Sequence, residues 1–261
     1  MLTADRGWSV SSRRWRWAWM PLAAVALCGC AAPAARGPQA GGGQDLAQIY
    51  QQAIASPVRT ADDRTEDSRR EPMEFLQFTG VRPGMKVLDV SAGGGYTTQL
   101  LALVVGSRGT VWAQLPKLRD AFGQRLSAHP QDNIVPAIRP FDDPVPKDAR
   151  NLDLVTLVFN YHDIAYMPVD RAKMNKRIFE ALKPGGHYVV IDHSAKSGAG
   201  TEDAHTLHRI DEAVVMDEVT AAGFRLEQEG DFFRDPADPR DILIFDMAIP
   251  VDNFALRFVK P

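Results

Sequence analysis

The chain has 261 residues, 45% of them hydrophobic and 24% charged, an ordinary globular composition that allows one sizeable core. Its formal net charge of -3 gives no support to a nucleic-acid partner bound through phosphate contacts. Both cysteines, Cys28 and Cys30, lie near the beginning. The rest of the chain therefore has no internal disulfide, no cysteine-ligated zinc and no thiol nucleophile.

Residues 1–29 carry Arg6, Arg13, Arg14 and Arg16 against Asp5 alone, then an apolar run from Trp17 to Gly29. That run is too short to span a bilayer, which takes roughly 20 residues. Basic residues, a short apolar stretch and small residues in that order are expected to form a secretory signal. Its end, Leu27-Cys28-Gly29-Cys30, resembles the bacterial lipobox. The resemblance implies cleavage before Cys30, lipidation of Cys30 and a lipoprotein on the periplasmic side of a bacterial membrane. The alternatives are an ordinary signal, or a start site placed upstream of a cytoplasmic protein. Ser12-Arg13-Arg14 is also similar to a twin-arginine signal, although Arg16 and Trp17 stand where that motif prefers apolar residues. Residues 30–44 are rich in Ala, Pro and Gly and are expected to be a flexible tether, leaving 45–261 as the folded domain.

Within that domain, Asp45 to Ala55 has helical spacing and an acidic start. Residues 57–71 are dense in charge and read as a solvated face or loop. Pro72 suits the first turn of a helix carrying Met73, Phe75, Leu76 and Phe78, which Gly80 closes. Lys86 to Leu101 then reads as a buried strand, a glycine-rich turn (Gly93, Gly94, Gly95) and a helix from about Thr97. Glycines there let the backbone take positive φ and approach a ligand, and the helix aims unpaired N–H groups at the same turn. Asp89 falls near the carboxyl end of the strand, where open α/β sheets bind ligands.

Further along, Gly109–Ala113 is predicted as a second strand, and Pro116 opens a helix with Leu118, Phe122 and Leu126 on one face. Asn133–Ile138 gives a third strand, and the apolar run Leu152–Phe159 suits a central parallel strand. A helix from Asp170 stops at Pro184-Gly185-Gly186, followed by a fifth strand at His187–Asp192. Asp203 to Ala222 is predicted as one helix and Phe224–Gly230 as the sixth strand. Ile242–Phe245 fits strand or short helix, and the alternation around Phe254, Leu256 and Phe258 gives a last strand. Alternating strands and helices imply a mostly parallel, doubly wound α/β sheet of seven strands, with its turns gathered at one edge.

Three stretches carry a family resemblance: Asp89-Val-Ser91-Ala-Gly93-Gly94-Gly95, Leu182-Lys-Pro-Gly-Gly186 before the fifth strand, and Ala222-Gly-Phe224 before the sixth. On these the domain resembles the class I S-adenosylmethionine-dependent methyltransferases, with their Rossmann-like fold, and within them the bacterial exported predicted-methyltransferase group. Ser91 stands where the family usually has its first glycine, and the second strand ends Ala113-Gln114-Leu115-Pro116 without the family's carboxylate. The resemblance implies that Asp89, Gly93, Gly95 and Tyr96 line the methionine side of S-adenosylmethionine, that Ser91 and Gly94 also bind the cofactor, and that Asn160 does so where the family faces the transferred methyl. It sets Gln114 by the ribose and Asp142 or Asp143 by the adenine. It also implies methyl transfer to a small molecule.

Methyl transfer needs alignment above all, and a base only where the acceptor must lose a proton. The fourth strand ends Asn160-Tyr161-His162-Asp163, so His162 is the candidate base, oriented by Tyr161 or Asp163. A strand-end histidine capping the next loop is the plainer reading. A second polar group, His193, His208, Arg209 and Asp211, is expected at the same edge, with His208 and Asp211 on one helical face. No recognised metal-ligand spacing is present and no metal is expected. A metal-dependent hydrolase using His193, His205 and His208 is one alternative, and a non-catalytic periplasmic ligand-binding lipoprotein on the same fold is another. Membrane contact through the lipid anchor is expected, and the sequence carries no sign of the oligomeric state.

Overall fold

A computed structural model describes residues 45–261. The signal segment, the tether and Cys30, expected over 1–44, lie outside the described residues.

Seven strands form one sheet: β1 (Lys86–Val90), β2 (Thr110–Leu115), β3 (Ile134–Ile138), β4 (Leu152–Val158), β5 (Leu182–His193), β6 (Arg225–Gly230) and β7 (Asn253–Val259). Their order is β3-β2-β1-β4-β5-β7-β6, parallel except for β7, which runs antiparallel to both β5 and β6. The order reverses between β1 and β4, and that reversal is where a doubly wound sheet opens a crevice at the carboxyl ends of its strands.

Among the described residues eight α-helices cover the faces: α1 (Leu46–Ala55), α2 (Ala61–Arg70), α3 (Pro72–Thr79), α4 (Tyr96–Val105), α5 (Asp120–Ala128), α6 (Tyr161–Tyr166), α7 (Arg171–Ala181) and α8 (Glu212–Ala221). Two apolar clusters result. One gathers α1, α3 and α4 around Val87, Val111 and Val189, and the other gathers α7 and α8 around Leu88, Val155 and Val190. Neighbouring strand residues enter opposite clusters, as the period-two alternation of side chains demands.

Three expectations are corrected and one left open is decided. Residues 61–70 form a helix, α2, because Thr60 and Asp63 make a reciprocal capping box and acids precede bases along the helix dipole. α5 begins at Asp120, so Leu118 stays outside it and exposed. The helix expected over 203–222 is only α8. Residues 201–207 form turns, His208 has φ +54°, and Ile210 bridges to Ser194 in parallel. His208 and Asp211 therefore share no helical face. Residues 244–246 make a single 3-10 turn.

Candidate functional site

The turn after β1 is built from hydrogen bonds as well as glycines. Ser91 has φ +57°, a conformation that costs a residue with a Cβ about 1–2 kcal/mol and suits the glycine this position otherwise carries. Two bonds hold it there. The Ser91 N–H donates to Gln114 Oε1 at 2.9 Å, and Ser91 Oγ donates to Asn160 Oδ1 at 2.6 Å. Gln114 Nε2 in turn donates to the Arg139 carbonyl at 2.6 Å, and the Gln114 side chain is fully buried. Gln114 is thus a latch for the turn, with both amide ends occupied, and the ribose role expected of it is corrected on that ground.

Gly93 (φ +58°) and Gly95 (φ +90°) adopt the left-handed backbone that glycine permits. A Cβ on Gly95 would lie 2.9 Å from Phe122 Cδ2 and Arg125 Cδ, so that glycine allows α5 to close against the turn and does not line the cavity. The N–H groups of Gly93 and Gly94 have no hydrogen-bond partner among the described residues. They border a cavity of about 210 Å³, also lined by Asp62, Glu66, Arg70, Asp89, Tyr96 and Asn160.

Asp89 is 2% exposed, with Oδ2 accepting from Thr98 Oγ1 at 2.6 Å and Oδ1 from Thr156 Oγ1 at 2.8 Å. Burial pushes its carboxyl up to about 6, against the pull of those two hydroxyls. α2 supplies the cavity's second wall. Asp63 takes a bidentate pair from Arg125 (2.7 Å each), whose Nε donates to the Gly94 carbonyl at 2.7 Å, and Tyr96 Oη donates to Asp67 at 2.7 Å. Arg70 lies over the Tyr96 ring at 4.9 Å and the Phe159 ring at 5.3 Å. Sequence reasoning missed this wall, and the capping-box spacing Thr60-x-x-Asp63 was the signal for it. Asp142 is not at the cavity. It pairs with half-exposed Lys173 at 2.8 Å, while Asp143 pairs with Arg139 and Arg177.

A second cluster forms where β4 and β5 end. His162 Nδ1 lies 2.6 Å from Asp192 Oδ1, and the His162 N–H donates to Asp192 Oδ2 at 2.7 Å. His162 Nε2 lies 3.3 Å from both Asp163 Oδ1 and His208 Nδ1, which are themselves 3.3 Å apart. Burial opposes a charge on His162, but Asp192 and then Asp163 outweigh it and raise the imidazolium pKa to about 10. Both ring nitrogens of His162 thus face polar partners, Nδ1 towards Asp192 and Nε2 towards Asp163 and His208. The orienting group is Asp192. Tyr161 points elsewhere, donating to Glu218 at 2.6 Å and accepting from Asn175 at 2.8 Å in the core.

The remaining members of the expected polar group have other partners, although the His193 ring lies 5.3 Å from that of His162. His193 stacks on Phe159 with ring centroids 4.8 Å apart, bonds Asn253 through Nδ1, and burial pushes its pKa down to about 4. Arg209 is fully buried on Asp238 at 2.8 Å, and Asp211 caps α8. His205 packs edge-on to Tyr166.

Comparison with known proteins bears on the fold and on the first of these regions. A family model for protein-L-isoaspartate(D-aspartate) O-methyltransferase matches residues 53–136. Curated relatives include the ubiquinone/menaquinone biosynthesis C-methyltransferase UbiE of Idiomarina loihiensis, 26% identical over 150 residues (56% of this chain, 57% of that protein). The UbiE of Burkholderia multivorans is 30% identical over 117 residues (44% and 45%). The chain spans about half the length of the curated relatives it matches. Among solved structures, a SAM-dependent methyltransferase from Aquifex aeolicus superposes with TM-score 0.56 at 18% identity, covering 83% of this chain and 99% of that one. A second from Mesorhizobium loti gives 0.52 at 16%, covering 74% and 99%. At these identities the structures speak for the fold.

Proposed function

We propose that this chain is a class I S-adenosylmethionine-dependent methyltransferase, transferring a methyl group from S-adenosylmethionine to a small-molecule acceptor at the carboxyl edge of its sheet. The observation that carries the reading is the pairing, in one cavity, of two unpartnered glycine amides with carboxylates and a guanidinium. The bared amides and Arg70 suit a carboxylate, and Asp89 and Glu66 suit an ammonium and a sulfonium, which together are the charges of the methionine end. The donor set therefore fits that half of the cofactor. When bound, the cofactor supplies a methyl carbon activated by the positive sulfur.

Asp89, Gly93, Gly94, Tyr96 and Asn160 would hold and align the methionine half. Asp62, which makes no side-chain hydrogen bond among the described residues, is the carboxylate left for a sugar diol. The cluster of His162, Asp163 and His208 follows Asn160 along the chain and supplies polar groups for an acceptor.

Calorimetric titration of the full chain with S-adenosylmethionine tests this. Binding is expected, and so is its loss in Gly93→Val with the melting transition retained, because a Cβ there meets nothing closer than 3.9 Å and only the backbone is strained. No heat at high ligand concentration overturns the cofactor assignment.

One observation favours a second reading. Gln114 is fully committed to the turn, so β2 offers no carboxylate or free amide to a ribose. A binding protein with a repurposed cavity would show this too, and a different small molecule co-purifying with the chain would favour it.

A further inference from the structure

We propose that His162 Nε2, Asp163 Oδ1 and His208 Nδ1 form a binding site for a four-coordinate divalent transition ion, of the zinc(II) class, with Asp192 positioning His162. The three donor atoms make a triangle with edges of 3.3, 3.3 and 3.3 Å. Such a triangle is one face of a tetrahedron whose centre lies about 2.0 Å from each corner, which is the length of Zn–N and Zn–O bonds. Right-angled, octahedral ligation of the same triangle would put the ion about 2.3 Å away, in the range of calcium, which takes all-oxygen sets. Two imidazoles and one carboxylate are the wrong chemistry for calcium or magnesium and the right one for zinc and its first-row neighbours.

The surroundings are those of a ligand set. His162 is 3% exposed, and its other ring nitrogen sits 2.6 Å from the fully buried Asp192 carboxylate. That carboxylate–histidine arrangement fixes a metal-ligating imidazole's tautomer and raises its basicity. Tyr166 Oη donates to Asp163 Oδ1 at 3.2 Å and so restrains the second ligand. His208 is brought in by a residue held at φ +54°, its ring edge-on to Phe245 at 5.1 Å and to Tyr166 at 6.4 Å. Asp163 and His208 remain 28% and 26% exposed. With three protein ligands the ion keeps one open position for water or for an oxygen, nitrogen or sulfur atom of a small molecule. Neither His193, bonded to Asn253, nor His205, packed on Tyr166, belongs to the triangle, so the ligand set differs from the His193, His205 and His208 trio suggested by sequence.

The test uses the full chain carrying Cys28→Ser and Cys30→Ser, so that thiols contribute no zinc binding. After chelator treatment it is titrated with zinc chloride and, in parallel, with cobalt(II). One zinc per chain is expected to survive dialysis, and cobalt is expected to give the intense visible bands of four-coordinate ligation. His208→Asn is the discriminating variant, because asparagine tolerates positive φ and the fold should persist, as its melting temperature will report. It is expected to weaken zinc binding at least about 100-fold, and Asp192→Asn by about 10- to 100-fold. A chain that retains no zinc overturns the proposal. Unchanged affinity in His208→Asn overturns it equally, as does a weak six-coordinate cobalt spectrum. The readout uses metal alone, so this failure and a failure of S-adenosylmethionine binding are separate results.

Discussion

Asp89, next to last in β1, has both oxygens held by threonine hydroxyls, yet burial lifts its carboxyl to about 6 from an ordinary value near 3.8. The folded protein binds more protons than the unfolded chain between those two values. The stability this gives is complete below about pH 4 and is lost as pH rises through 6. Keeping the group ionised at neutral pH costs on the order of 3 kcal/mol. Asp89→Asn is therefore expected to raise the melting temperature at pH 7 by several degrees, with the advantage gone at pH 4. The same variant should bind S-adenosylmethionine at least about 10-fold more weakly, since it lacks the negative charge. For the unsubstituted chain, affinity should climb as pH passes upward through about 6, and calorimetry in a series of buffers reads both effects. A flat pH profile would separate Asp89 from the ligand.

α2 shows how an element with almost no apolar surface can be fixed in place. Its sequence, ADDRTEDSRR, has nothing to bury in a core, so hydrophobic packing cannot hold it. Its anchors are polar: Asp63 on Arg125, and Asp67 on Arg59 and Tyr96. The first is nearly buried, with the two side chains 4% and 10% exposed, and removing one partner of such a pair typically costs about 3–5 kcal/mol. Arg125→Met is expected to release α2 locally. Amide hydrogen exchange over 61–70 should rise at least about 10-fold while β4 and β5 keep their protection. Cofactor affinity should fall with it, because α2 carries Asp62, Glu66 and Arg70 to the cavity. Unaltered exchange in α2 would mean that the Arg59–Asp67 pair alone suffices.

At the scale of the whole molecule, the sheet's reversal between β1 and β4 brings two different chemistries to one edge: the amide-and-carboxylate cavity and the His162–Asp163–His208 triangle. Whether the chain works at a membrane is a matter for its first 30 residues. If the lipobox resemblance holds, the mature protein begins at a diacylated Cys30, and intact-mass measurement of protein expressed in a bacterium will show loss of residues 1–29 plus the lipid. An unlipidated chain still carrying residues 1–29 would count against lipobox processing, and one that starts downstream of Met1 without lipid would support the start-site alternative.

Much of the fold was legible because it depends on local pattern. Buried strands such as 152–158 read as apolar runs, Pro72 and Gly80 punctuate α3, and the glycines after Asp89 mark a turn wherever they occur. Charged α2 was not, since its stability comes from Arg125, sixty-two residues from Asp63, and no helical periodicity records such a partner. Nor was the late start of the helix that ends at Ala221, since ahead of it His208 takes positive φ and Ile210 joins the end of β5 by a bridge. The sequence by itself determined the strand order's raw material, the glycine turn and the presence of Asp89 at its mouth, because short-range sterics and burial act on neighbouring residues. Only the tertiary structure decided that Gln114 latches the turn, that Asp192 orients His162, and that His208 completes a triangle with it. Those contacts join residues 23, 30 and 46 positions apart, and chain folding, not spacing, sets their distances.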